Sequence, residues 1–188
     1  MKLIIVMVAT IGYAALLMAG RQPAPHGALV EESKVQPKQV TLAKDSQSDK
    51  YGEVAFNHEN HSTKNYSADG QGVIGCTECH HTDQPASALK PPLKTSERNA
   101  LLTTALLATP EAAPVKTCRT CHLQAGDDSQ PLPVVTYPDK KTPTKLNNEI
   151  AYHTNCNTCH DAAIKSRPAL KGKIPGTNDC AQCHKPLE

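Results

Sequence analysis

The stretch Cys76-Thr77-Glu78-Cys79-His80-His81 carries two cysteines three residues apart with a histidine directly after the second. The same spacing recurs at Cys118-Arg119-Thr120-Cys121-His122, Cys156-Asn157-Thr158-Cys159-His160 and Cys180-Ala181-Gln182-Cys183-His184. These four copies use all eight cysteines of the chain. Cys-x-x-Cys alone is compatible with zinc, two pairs making one four-thiolate site, or with a redox disulfide. Neither chemistry requires a histidine immediately afterwards. Cys-x-x-Cys-His is the attachment sequence of a c-type haem, in which both thiols form thioethers and the histidine ligates iron from the proximal side. The pattern therefore predicts four haem c groups, attached at Cys76 and Cys79, Cys118 and Cys121, Cys156 and Cys159, and Cys180 and Cys183. Their proximal ligands are His80, His122, His160 and His184.

The histidine count extends that reading. Four irons with two axial ligands each need eight ligands. Methionine, the other common sixth ligand, occurs only at Met1, Met7 and Met18, within an N-terminal apolar run. Outside the motifs the histidines are His26, His58, His61, His81 and His153. His26 falls in a proline-containing polar stretch and is expected to be a surface residue. The remaining four match four irons, so bis-histidine coordination is expected throughout. His81 adjoins His80, and adjacent residues cannot reach opposite faces of one iron. His153 and His160 lie seven apart, on one face of a helix, so they too serve different irons. His58 and His61, three apart, share a face of a helical turn.

Composition agrees with a chain that relies on a bulky apolar cofactor. Of 188 residues, 38% are hydrophobic, below the usual range of about 45–50%. There is one Phe, there are five Tyr and no Trp, and prolines number 15. Such a chain is poorly supplied for a core of its own. Phe56 is expected to pack on a haem. The formal charge of +2 gives no sign of nucleic-acid binding. From residue 140 onward, however, Lys140, Lys141, Lys145, Lys165, Arg167, Lys171, Lys173 and Lys185 stand against Glu149, Asp161, Asp179 and Glu188. This excess is either an ordinary solvated face or a docking patch.

Three regions follow. Residues 1–20 contain an apolar run over residues 3–20, expected to be a signal peptide or an uncleaved membrane anchor. Arg21 stands where a lipidated cysteine would be, so lipidation is not expected there. Either alternative implies export, with the haem region on the periplasmic side. Residues 21–50 read as a flexible linker. Residues 51–188 read as the tetrahaem domain. Within it, a turn is expected at Gly70-Gln71-Gly72, a helix over 96–108 capped by Ser96, a loop over 123–147, and a helix over 148–165.

The order His58, His61, Cys-x-x-Cys-His80-His81, Cys-x-x-Cys-His122, His153, Cys-x-x-Cys-His160, Cys-x-x-Cys-His184 resembles the class III cytochromes c, of the tetrahaem cytochrome c3 type. The resemblance covers about residues 51–188. It implies a small, mainly α, loop-rich fold with few helices and minimal β structure, including a short two-stranded sheet at its start. Its core would be formed largely by the four haems. It also implies axial pairs of His58 with His80, His81 with His122, His61 with His160, and His153 with His184. The expected function is periplasmic, low-potential electron transfer without enzymatic activity. Hydrogenase, formate dehydrogenase or a membrane redox complex would be the partner. Two other readings share the motifs: a membrane-anchored quinol dehydrogenase cytochrome, and a subunit of a conductive filament of stacked haems. The chain departs from the family in using Cys-x-x-Cys-His at all four sites and in the long gap between His81 and Cys118.

Overall fold

The computed structural model describes residues 34–44, 50–81, 102–137 and 139–187. The apolar run 3–20 and His26 lie outside them. Short elements are joined by long loops, and the one extended helix, residues 148–166, packs against the 3-10 turns at 118–120 and 168–170. Strand β1 (Val40–Leu42) pairs antiparallel with β2 (Val54–Phe56), Val40 opposite Phe56 and Leu42 opposite Val54. Helix α1 (His58–Thr63) follows at once. Its cap is Asn57, whose side chain accepts from the Asn60 N–H at 2.8 Å. Two further one-turn helices are α2 (Cys76–Cys79) and α3 (Thr104–Leu107), and a 3-10 turn spans Cys118–Thr120. Strands β3 (Val134–Val135) and β4 (Thr144–Lys145) pair antiparallel. Helix α4 (Asn148–Ser166) is the long element, and α5 (Cys180–Cys183) carries the fourth motif.

Helix α4 starts where the chemistry of its first turn requires. The Asn147 side chain accepts from the Ile150 N–H at 2.9 Å, and Glu149 adds a negative charge to the N-terminal turn. Lys165 sits in the last turn, and Pro168 follows. The helix presents no single apolar stripe. Ala163 is its one buried residue, and the helix packs against the Pro168–Leu170 turn. Among the described residues the apolar core made by the chain itself is confined to Leu102 and Ala163.

Arg167 joins α4 to the loop before the first motif. Its Nε donates to the Ala68 carbonyl at 3.2 Å and its Nη2 to the Ser67 carbonyl at 3.0 Å. Gly70 takes a positive φ of 76°, and a Cβ there would stand 2.6 Å from Arg167 Nη1. The turn expected at residues 70–72 thus needs glycine both for its backbone and for this guanidinium. Arg167, counted from sequence among the surface cations, is half-buried in this contact.

Three expectations are corrected. The stretch 21–50, read as a linker, contains β1, and residues 34–38 are bonded onto the domain. Lys38 O accepts from the Glu59 N–H at 3.1 Å, the Gln36 amide meets the Ser62 hydroxyl, and Lys34 Nζ donates to Pro110 O at 2.8 Å. A three-residue alternation such as Val40-Thr41-Leu42 is too short to be distinguished from a loop, and only its pairing with residues 54–56 makes it a strand. The helix expected over 96–108 begins, within the described residues, only at Thr104. Thr103 is its cap, accepting from the Leu106 N–H at 3.2 Å. Leu102 is buried before the helix begins, and residues 96–101 lie outside the described part. The loop expected over 123–147 contains the β3–β4 pair, closed by the Leu146 N–H donating to Pro133 O at 2.7 Å. The helix expected over 148–165 extends one residue further, to Ser166. Among the described residues no helix is long and apolar enough to cross a membrane.

Candidate functional site

Every motif histidine has one non-motif histidine beside it. The ring centres of His58 and His80 are 6.3 Å apart, those of His61 and His160 6.4 Å, His81 and His122 6.1 Å, and His153 and His184 6.1 Å. Two imidazoles binding one metal ion from opposite sides, at about 2.0–2.1 Å per nitrogen, have ring centres about 6.3 Å apart. Direct edge-to-face or offset ring pairs have centres about 4.5–7 Å apart, so distance alone does not separate the two arrangements. What matches a shared ion is the recurrence of this one separation at four pairs, each holding one motif histidine.

The local fold explains how each ring is brought in. His58 and His61 stand at the start and centre of α1, and Phe56, at the end of β2, touches both rings at 6.0 and 4.6 Å. Tyr66 meets the His61 ring edge-on at 5.4 Å. His80 caps α2 and His81 follows it, so the two diverge to separate partners. His153 and His160 both project from α4 and also diverge, to His184 and His61 respectively. His184 caps α5.

The second ring nitrogens show which tautomer is held. Nδ1 of His58 donates to Pro37 O at 3.1 Å, that of His61 to Asn57 O at 2.8 Å, that of His122 to Leu146 O at 2.9 Å and that of His184 to Gly52 O at 2.8 Å. A carbonyl oxygen can only accept, so Nδ1 carries the proton in these four rings. Nε2 then carries a lone pair, the form a metal requires. Backbone acceptors of this kind commonly orient metal-bound histidines. His122 is buried despite its polarity, and burial pushes the His160 imidazolium down, with the Pro175 carbonyl acting the other way. The His160 ring thus favours its neutral form.

The cysteines converge on α4. All eight are free thiols. Cys156 lies within electrostatic reach of Cys79, Cys118, Cys159 and Cys183, one or more from each motif, and burial pushes its thiol up to about 11. The Cys79 thiol bonds the Asn155 side chain and the Cys118 thiol the Tyr152 hydroxyl, so one helix meets three motifs. Burial likewise raises Cys118, and Tyr152 beside it. Burial thus favours the protonated form of the Cys79, Cys118 and Cys156 thiols. Among the described residues no three of His, Cys, Asp and Glu gather into a cage for a bare metal ion. The donors instead stand as four separate histidine pairs with cysteine pairs nearby.

The chain matches no protein-family model, no curated protein and no solved structure.

The candidate site therefore rests on residues alone. The structure brings together His58, His61, His81 and His153 with His80, His160, His122 and His184. Sequence reasoning did not find the carbonyls of Pro37, Asn57, Leu146 and Gly52. No side-chain pattern signals a backbone acceptor, and all four come from residues outside the motifs' own turns.

Proposed function

We propose that the chain is an exported, low-potential electron-transfer protein carrying four covalent haem c groups, each with two axial histidines. The observation that carries this is the set of four histidine pairs spaced 6.1–6.4 Å apart, each containing the histidine of a Cys-x-x-Cys-His motif. When bound, each haem supplies reversible one-electron exchange between ferric and ferrous iron. His58 and His80 would hold the first, His81 and His122 the second, His61 and His160 the third, and His153 and His184 the fourth. The cysteine pairs would anchor each group to α2, the 3-10 turn at residues 118–120, α4 and α5.

The chain's own residues set the properties of such a carrier. Two imidazoles per site would fill the iron's ligand positions outside the porphyrin and leave none for a substrate, which favours a carrier over a catalyst. The Nδ1–H donation to backbone carbonyls by His58, His61, His122 and His184, one ring in each pair, increases the electron donation of that ring, which favours ferric iron and a low potential. Helix α4 contributes ligands or attachment cysteines to the third and fourth sites and contacts to the first and second. That sharing keeps the four close together. A redox complex outside the cytoplasm is the partner class that fits, with the stretch 3–20 as signal or anchor.

The test is the purified protein from a host able to attach haem c. The denatured mass and the pyridine haemochrome should each give four haems per chain. The oxidised protein should be low-spin at every iron. Two zinc ions and no haem would overturn the reading, and a high-spin fraction binding carbon monoxide would replace the carrier by a reductase.

A further inference from the structure

The segment carrying His184 is fastened to residues 51–54, more than a hundred residues earlier in the chain. The Gly52 N–H donates to Lys185 O at 3.0 Å, and the Lys185 N–H donates to Glu53 O at 2.9 Å. Val54 and His184 form an antiparallel bridge, and Lys185 Nζ pairs with Glu53 at 3.4 Å. Residues 184–185 thus pair with the stretch that runs into β2. The His184 ring is gripped within this ladder. Its Nδ1–H donates to Gly52 O at 2.8 Å, and the Tyr51 ring lies over it at 5.5 Å, tilted by 35°.

We infer that Tyr51 and Gly52 are positioning residues for the fourth axial pair: the Gly52 carbonyl fixes the tautomer and plane of His184, and the Tyr51 ring holds that plane. This rests on the haem reading above. A carbonyl on a free loop would let the imidazole turn about its bond to Cβ. Here the same residue's N–H is tied to Lys185, so the carbonyl and the ring it orients belong to one hydrogen-bonded unit. Position 52 also admits little else. A Cβ there would stand 2.9 Å from Lys185 O, closer than a side chain tolerates beside backbone, and would push residues 184–185 away. The Gly52 carbonyl is therefore the setting device for the ring's donor strength as well as its direction.

The experiment uses the full-length, haem-loaded protein and two variants, Gly52→Ala and Tyr51→Leu, read by EPR of the oxidised form and by potentiometric titration. His153→Ala, which removes one ligand of the fourth pair, identifies the fourth site's low-spin signal by its loss. The expected result is that both variants keep the other three signals and midpoints. The fourth signal changes its g-values, more in Gly52→Ala, and its midpoint moves upward as the Nδ1 bond lengthens. Loss of the fourth haem alone in Gly52→Ala supports the same assignment. If Gly52→Ala loses every haem, Tyr51→Leu decides. Four haems with four unchanged signals in Tyr51→Leu and in any loaded Gly52→Ala protein would overturn the inference, as would a change at another site with the fourth untouched. A parent protein with no haem would instead refute the proposed function, and the haem count separates the two failures.

Discussion

The imidazole planes of His153 and His184 are turned 72° from each other, whereas those of His61 and His160 differ by 37°. His58 and His80 follow the first case at 62°, and His81 and His122 the second at 46°. The angle between two axial imidazole planes sets how far the iron d orbitals that overlap them are split. Nearly crossed planes leave these orbitals close in energy, and aligned planes separate them. The oxidised protein should therefore show two classes of low-spin EPR signal. On the proposed haem loading, the first and fourth sites should give strongly anisotropic spectra with a large leading g-value, and the second and third ordinary rhombic ones. Four rhombic signals would contradict the ring geometry.

Arg167 should behave as a brace and not as a surface charge. Arg167→Ala removes two charged donors from the Ser67 and Ala68 carbonyls, and hydrogen bonds to charged groups contribute about 1.5–3 kcal/mol. Part of the site is exposed to water, so a loss of about 2 kcal/mol is expected in denaturant unfolding, with haem content unchanged. Arg167→Lys should recover little, because an ammonium cannot span two carbonyls as a planar fork does. A loss no larger than that of Lys171→Ala would remove the bracing role.

The loop before α5 should respond to acid. Asp161 accepts from the Thr177 N–H at 3.1 Å and from the Thr177 hydroxyl, and these bonds hold its carboxyl below its ordinary value of 3.8. The fold thus favours the ionised form. Its contribution is complete above the ordinary carboxylate value and is lost as pH falls through the lowered one. The Thr177 amide should exchange with solvent slowly at neutral pH, and faster, relative to its intrinsic rate, below that window. Asp161→Ala should abolish the difference. A protection factor flat across the acid range in the parent protein would show that Asp161 does not hold the loop.

The basic face is smaller than the count of cations suggests. Arg167 is engaged in its brace, Lys185 is paired with Glu53, and Lys140 lies over the Tyr137 ring at 4.9 Å. Lys141 and Lys145 remain exposed, and so do three on α4 and the turn that follows it, Lys165, Lys171 and Lys173. Changing these three to Glu should slow electron exchange with an acidic redox protein by about tenfold at low salt, with the haem spectrum intact. The difference should shrink as ionic strength rises, because exposed charges are screened within about 10 Å at 0.1 M. A rate and salt dependence identical to the parent's would make these residues an ordinary solvated face.

The four motifs, the four other histidines and helix α4 were legible in the sequence because each depends on residue type at short spacing. The rule that His80 and His81 must part, as must His153 and His160, follows from local geometry, and the rings do stand beside separate partners. What escaped depends on contacts between distant residues. Val40–Leu42 is a strand only because residues 54–56 lie opposite, and the Val134–Val135 pair needs Thr144–Lys145. Arg167 looked like one more cation because the Ser67 and Ala68 carbonyls that engage it lie about a hundred residues away. The helix over 96–108 was read from apolar spacing, but Thr103 offers its hydroxyl to Leu106 and caps a new start there.

The bond between His184 and Gly52 spans 132 residues, whereas His58 and His80 are brought together within a short loop of the chain. Closing a longer loop costs more chain entropy, and pairings of high sequence separation form late. The ladder at residues 52–54 is therefore expected among the last contacts to form. Until residues 184–185 arrive, the stretch leading into β2 has one unpaired edge, open to a wrong strand from a neighbouring chain. The slowest step of maturation would then be the joining of two remote segments, and crowding among half-folded copies would be felt there first.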